Sequence, residues 1–204
     1  MPSRNIVKQF DVPAFYHVYN RASGERNLFR DDDDRIFFMS LLQKYLTETD
    51  IVIDQKQREL PKYEVELIAY CLMSSHFHLL LYQYSDTRAI EGYMRSVSTV
   101  YSIYYNKKYK SKGHVFQSSY KASHMSNEAY LEHITRYIHL NPRRYKSWGW
   151  SSYQDYVDNK ETEWLHPERV LSDRDRKSYA DFVAIYADKD RREQSTELSD
   201  FIAF

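Results

Sequence analysis

A single cysteine, Cys71, rules out any disulfide framework within the chain and fits a reducing compartment. No apolar run approaches the ~20 residues that a membrane-spanning helix needs. The opening MPSRNIVKQF lacks the apolar segment of a secretory signal. The expectation is a soluble, cytoplasmic protein with no membrane partner. Charge of one sign is lacking as well, since 29 basic and 29 acidic residues leave the 204-residue chain formally neutral. A non-specific nucleic-acid binder is usually basic overall, so this balance weighs against one. It does not exclude a local patch, because the charges are segregated. DDDD at 31–34 is acidic, whereas NKKYKSKGH at 106–114 and NPRRYK at 141–146 are basic. Internal repeats are absent, and the length fits one domain of ordinary size.

What the chain has in excess is tyrosine, at 20 residues. Each combines an apolar body with a polar tip, which suits a packed core or a wet groove that stacks bases and contacts phosphates. FYHVYN at 15–20 is aromatic and β-branched and reads as a strand. The aspartates at 31–34 then sit where a helix N-terminus favours negative charge, and a capping role outweighs metal binding for them. Ile36, Phe37, Met39, Leu41, Leu42, Tyr45 and Leu46 supply the buried face of that helix. YEVELIAYCLM at 63–73 and HFHLLLYQY at 76–84 read as two strands joined by a tight turn. Ile90, Tyr93, Met94, Val97, Val100, Tyr101 and Tyr104 recur at helical spacing, and HVFQSSYKASHM at 114–125 reads as another strand. Ser126 is placed to cap a last helix, NEAYLEHITRYIHL, which Pro142 ends at Asn141. The order strand, helix, strand, strand, helix, strand, helix predicts an α+β, ferredoxin-like split βαβ sandwich. It has a four-stranded antiparallel sheet with helices on one face, the other face left for a site, plus a further C-terminal helix. Beyond residue 142 the aromatic-rich WGWSSYQDYV and EWLHPERVL are expected to fold back on the domain, and the charged end, 188–204, to be poorly ordered.

The chemistry concentrates in HFHLLL. Alternation along a strand points His76 and His78 the same way, with Phe77 opposite. Two imidazoles on one face suit a shared metal ion, and they equally suit a solvated strand edge. On the last helix Leu131, Ile134 and Ile138 form the apolar stripe, while Tyr137 and Asn141, four apart, share a line along its edge. Asn141 offers a carbonyl oxygen for a hard divalent ion. With His76 and His78 it would complete three protein ligands and leave positions open for substrate. An ion so held can polarise a phosphodiester, and a tyrosine beside it can attack in line. The 5′ phosphate would then be left on the tyrosine and a 3′ hydroxyl released. The bond energy is conserved, so rejoining needs no nucleotide cofactor. His17, His114, His124, His133, His139 and His166 are competing ligands that spacing alone does not remove, and a helical tyrosine beside apolar residues is more often packing than nucleophile.

Five blocks occur in order: FYHVYNRASGERNLFRDDDDR, AYCLMSSHFHLLL, GHVFQSSYKA, YLEHITRYIHLNPRR and WGWSSYQDYV. Together they resemble the single-tyrosine HUH transposases, in particular the REP-associated branch, where HUH denotes His, hydrophobic, His. The resemblance runs from about residue 13 to 157. It implies a catalytic domain over 1–157 and a C-terminal extension over 158–204, aromatic and then charged. It further implies that Tyr137 is the nucleophile and that His76, His78 and Asn141 hold Mg²⁺ or Mn²⁺. The implied substrate is single-stranded DNA with hairpin structure, cut and transferred in a transposition-like reaction. Arg21, Lys121, Arg143 and Arg144 lie in the matching blocks and are candidates for DNA contact. Ser75 stands where many relatives have asparagine, and RASGERN replaces a more usual glycine-plus-basic stretch, which bears on DNA preference rather than on the reaction. The family includes both monomers and homodimers. Two other readings are a transposase-derived binding protein or repressor that does not cut, and a phosphodiesterase using metal-bound water, which would survive Tyr137→Phe.

Overall fold

The computed structural model describes residues 10–46, 59–125, 127, 129–158, 160–171 and 175–187. Four strands, β1 (Ala14–Arg21), β2 (Val65–Leu72), β3 (His76–Gln83) and β4 (Lys121–Met125), form one sheet in the order β2-β3-β1-β4 with every pairing antiparallel. Helices α1 (Asp32–Lys44) and α2 (Ala89–Lys108) connect them, and α3 (Ala129–Leu140) follows β4. This is the split βαβ arrangement that the element order predicts. Among the described residues no helix is long and apolar enough to cross a membrane.

The acidic run behaves as a cap. Asp31 is the N-cap of α1 and its side chain accepts from the Asp34 amide at 3.0 Å. Asp34 is fully buried, where its carboxylate accepts from Lys108 Nζ at 2.9 Å and from the Tyr109 hydroxyl at 2.7 Å. The two ends of the helical layer are thus tied by charge-assisted bonds. Phe38, Leu41, Leu42 and Tyr45 supply the buried face of α1, at the i, i+3, i+4, i+7 spacing of one helix face. Ile36 is not part of it: two residues before Phe38, it projects outward and is 57% exposed. Along α2, Ile90, Tyr93, Met94, Val97 and Tyr101 are buried as their spacing predicts.

The sheet separates two cores. Phe77, Leu79 and Leu81 of β3 join α1 and α2 on one face, whereas Leu80 joins Leu131, Ile134 and Ile138 of α3 on the other. The second face is therefore not left free along its length. The apolar stripe of α3 covers part of it, and α4 (Tyr153–Val157) and α6 (Arg176–Ala187) extend that cover, with the short α5 (Glu168–Leu171) between them. The segment 114–125 is a strand only from Lys121. Before that, Val115 turns inward and the chain crosses the end of β1 through a single Ala22–Phe116 bridge, with the Gln117 amide donating to Arg21 O at 3.0 Å. The expected cap Ser126 and the tail 188–204 lie outside the described residues.

A buried histidine pins α3 in place. His139 is fully buried, with Nδ1 2.8 Å from the Tyr179 hydroxyl of α6 and Nε2 2.9 Å from Ser152 Oγ at the start of α4. Ser152 Oγ in turn accepts from the Tyr70 amide of β2 at 2.9 Å. Burial lowers the His139 pKa to about 3. Between that value and the unfolded value near ~6.5, the unfolded chain binds a proton that the folded chain does not. The contribution of His139 is therefore fully present above about pH 6.5 and lost as pH falls, by up to about 1.4 kcal/mol per pH unit. Urea unfolding from pH 7.5 to 4.5 is expected to show a shallower acid loss in His139→Gln than in the parent, and identical slopes would contradict the assignment.

Candidate active site

Strand alternation decides which side chains reach the second face. His76 and His78 emerge there from β3, while Phe77 enters the α1/α2 core. In the β1–β3 register Tyr19 lies opposite His78 and Arg21 opposite His76, so His17, Tyr19 and Arg21 share that face. On the other side of β1, Tyr19 pairs with Lys121, whose Nζ lies 5.8 Å from the Tyr19 ring centroid. An open cleft of about 400 Å³ forms here, lined by Tyr19, Arg21, His76, His78, Lys121 and Tyr137 among others.

Both imidazoles are held by their Nδ1 atoms. His76 Nδ1 lies 3.0 Å from Ser75 Oγ, and His78 Nδ1 lies 2.9 Å from His17 Nε2. That leaves the Nε2 atoms, and His76 Nε2 lies 3.3 Å from Asn141 Oδ1. The Asn141 amide is oriented by its own helix, because Nδ2 donates to Tyr137 O at 3.1 Å and so directs Oδ1 to the histidine. Tyr137 sits one turn earlier, with its ring edge-on to His78 at 5.4 Å between centroids and to His17 at 6.1 Å. The structure thus brings Tyr137, His76, His78 and Asn141 together within one chain, with Arg21 and Lys121 on the same cleft. Arg143 and Arg144 do not line that cleft; both are exposed in the turn that follows α3.

Burial keeps His78 and His17 neutral. Burial lowers the His78 pKa well below its usual value, reinforced by the neighbouring His17 and His76, and burial lowers that of His17 to about 3. Neutral imidazole is the form that ligates a metal. Among the described residues no group of three or more His, Cys, Asp or Glu side chains forms a metal site. The donor set is instead two imidazoles and an amide oxygen. Its chemistry fits a divalent ion, with Nδ1 of each histidine tied back and an Nε2 and an amide oxygen already within 3.3 Å of each other.

The sequence of this fold also matches a known family. The profile of the IS200-like transposases covers residues 14–141, most of the chain. The chain belongs to the IS200-like transposase family. Among solved structures, the chain is similar to a REP-associated tyrosine transposase bound to a REP hairpin. The TM-score is 0.56 at 11% identity, covering 76% of this chain and 92% of that one. At that identity the likeness is one of fold, and it agrees with the sheet order and helices described above. No curated protein matches.

His17 is the residue that spacing did not single out. Its partner is diagonal across the β1–β3 ladder, since His17 pairs in register with Leu80 and not with His78. The available signal was the i, i+2 alternation of His17, Tyr19 and Arg21 on β1. If His78 ligates through Nε2, its proton sits on Nδ1 and is donated to His17 Nε2. His17 then fixes the tautomer and the ring plane. His17→Ala is expected to weaken Mn²⁺ binding by about tenfold or more in calorimetric titration, with the fold retained by circular dichroism. Unchanged affinity in a folded variant would remove His17 from the site.

Proposed function

We propose that this IS200-like transposase is a metal-dependent, single-strand-specific DNA nicking and strand-transfer enzyme of the REP-associated, HUH type. It would act through a covalent 5′-phosphotyrosine on Tyr137. The observation that carries the reading is the convergence of His76, His78 and Asn141 with Tyr137 at one cleft within a single chain. His76, His78 and Asn141 would hold Mg²⁺ or Mn²⁺, which when bound supplies positive charge to polarise the phosphodiester. Imidazole donors suit Mn²⁺ better than Mg²⁺, so Mn²⁺ is the ion to try first.

The chain's own groups do the rest. Tyr137 is placed by α3, whose apolar stripe and His139 anchor fix the helix against the sheet. Its hydroxyl must lose a proton to attack phosphorus, forming the tyrosine–phosphate bond as the phosphorus–3′ oxygen bond breaks, and the 3′ oxygen leaves as a hydroxyl. Reversal by another 3′ hydroxyl reseals the strand and frees the tyrosine. Arg21 and Lys121, on the rim of the cleft, are positioned to bind the flanking phosphates. Tyr19, with Lys121 above its ring, offers a face on which a base can stack. Hairpin DNA is the proposed partner, supported by the five sequence blocks and by the hairpin carried by the similar structure. The proposed active-site groups converge within one chain, and the reading is compatible with a monomer or a homodimer.

The direct assay uses end-labelled single-stranded hairpins from the DNA flanking the gene, with Mn²⁺, on denaturing gels. A protein–DNA adduct is expected with the wild type and is expected to be absent with Tyr137→Phe, while His76→Ala should lower its rate by at least about a hundredfold. Cutting that persists in Tyr137→Phe would point to water as the nucleophile. Tight binding with no adduct in any lane would leave a non-cleaving DNA-binding protein.

A further inference from the structure

Past the end of β1 the molecule carries a second opening. The loop leaving β1 and the C-terminal end of α2 enclose about 540 Å³ lined by Arg26, Arg30, Tyr105, Tyr109, Ser111 and Lys112. No carboxylate lines it. The three cations are exposed, and among the described residues none of their side chains forms an ion pair. Arg30 lies with its guanidinium 4.2 Å from the Tyr109 ring centroid, which sets its plane.

The walls are built rather than incidental. The Tyr109 hydroxyl donates to Asp34 Oδ2 at 2.7 Å and lies 3.1 Å from Asp31 Oδ2, and the Tyr105 hydroxyl donates to Asn27 O at 3.0 Å. Ser111 Oγ donates to Asn106 Oδ1 at 2.8 Å. The neighbouring acidic run supplies none of the lining and is partly neutralised by Lys108 and Arg35. Asp31 and Asp34 accept from Lys108, and Asp32 pairs with Arg35; Asp33 projects into solvent 3.9 Å from Lys108.

The segment leaving β1 and the segment leading to β4 each contribute to the lining of both this opening and the histidine cleft. The Ala22–Phe116 bridge and the bond from the Ser23 amide to Val115 O at 2.8 Å join the two chain segments. On one side of that seam Arg21, Gln117 and Ser118 line the histidine cleft. On the other side the same segments supply Arg26, Arg30 and Lys112. From Arg21 the chain itself runs through this seam to Arg26 and Arg30. Cations interleaved with tyrosine rings, without a carboxylate, match the sugar–phosphate backbone of single-stranded nucleic acid. We propose that this opening is a backbone subsite for the substrate strand, holding phosphates on one side of the cut without reading their sequence. The proposal rests on the reading of the chain as a single-strand DNA enzyme and adds where the strand runs.

The test combines Arg26→Ala, Arg30→Ala and Lys112→Ala, all at exposed positions, in the full chain. A control carries the same charge change at exposed Arg88, Arg95 and Lys177. Affinity is measured against hairpin oligonucleotides extended stepwise on either side of the cut, over a range of salt, and adduct formation is scored separately. For a minimal oligonucleotide, variant, control and wild type should bind alike. Extension on one side should tighten wild type and control at least about tenfold but not the variant, whose plot of log K against log salt should be shallower by about 2. An equal gain on extension in all three proteins, or an equal loss on the minimal substrate, would overturn the subsite. If no protein forms an adduct but the extension effect still vanishes in the variant, the nicking reading fails and the subsite stands. Adducts with unchanged extension and salt behaviour retain the enzyme and reject the subsite.

Discussion

The site depends on the two-residue repeat of β3. This strand lies between β1 and β2, and its residues alternate between two cores: Phe77, Leu79 and Leu81 towards α1 and α2, His76, His78 and Leu80 towards α3. A slip of one residue would drive both imidazoles among Phe38 and Val97 and move large apolar side chains out of that core, with one of them taking the buried place of Leu80. The cost of such a slip is the burial of about two full side chains, on the order of 3 kcal/mol. The packing that stabilises the sheet is thereby the same packing that aims the histidines. On β1 the same alternation delivers His17, Tyr19 and Arg21 to the site face.

The second requirement is that α3 stay where it is. An exposed helix of this length has little stability of its own, so its position comes from tertiary contacts. Leu131, Ile134 and Ile138 give it a greasy seat on the sheet, and the His139 bonds to Tyr179 and Ser152 fix its rotation. Rotation matters because Tyr137 and Asn141 lie on the edge of the buried stripe; about 100° per residue separates a side chain in the cleft from one in solvent. The C-terminal segments are therefore part of how the tyrosine is presented, since α4 and α6 carry the partners of His139.

Much of this was legible in the sequence. The alternation of HFHLLL, the helical spacing from Ile90 to Tyr104 and the Asp31 cap all rest on local periodicity, and each emerges as read. Strand and helix periods also place His76, His78, Tyr137 and Asn141 on definable faces, but it was the family resemblance, not spacing, that singled them out from the other histidines and tyrosines. The extent of β4 was not: residues 114–120 have strand-like composition, yet they cross the end of β1 and so pair only once. His17 was not legible as a partner of His78, because a diagonal contact needs the inter-strand register. The roles of His139, Ser152 and Tyr179 were invisible for a similar reason, being set by a three-way meeting of distant segments. The neutral net charge, which weighed against nucleic acid, is a sum over segregated charges, many of them paired away from the clefts. Glu66 holds Arg169 through two bonds at 2.7 and 2.9 Å, Asp155 accepts from Thr162 at 2.6 Å, and Asp34 is buried against Lys108. Arg21, Arg26, Arg30 and Lys112 are left facing the clefts.

The central claim is that Tyr137 is the nucleophile, and its most direct measurement is the mass of the modified peptide. Protein reacted with hairpin DNA and Mn²⁺ would be digested with nuclease and trypsin, and the peptide spanning residues 137–143 weighed. A 5′-nucleotide on Tyr137 is the predicted result. Cut DNA bearing a free 5′ phosphate beside an unmodified peptide, or a nucleotide carried on any other residue, would contradict the account.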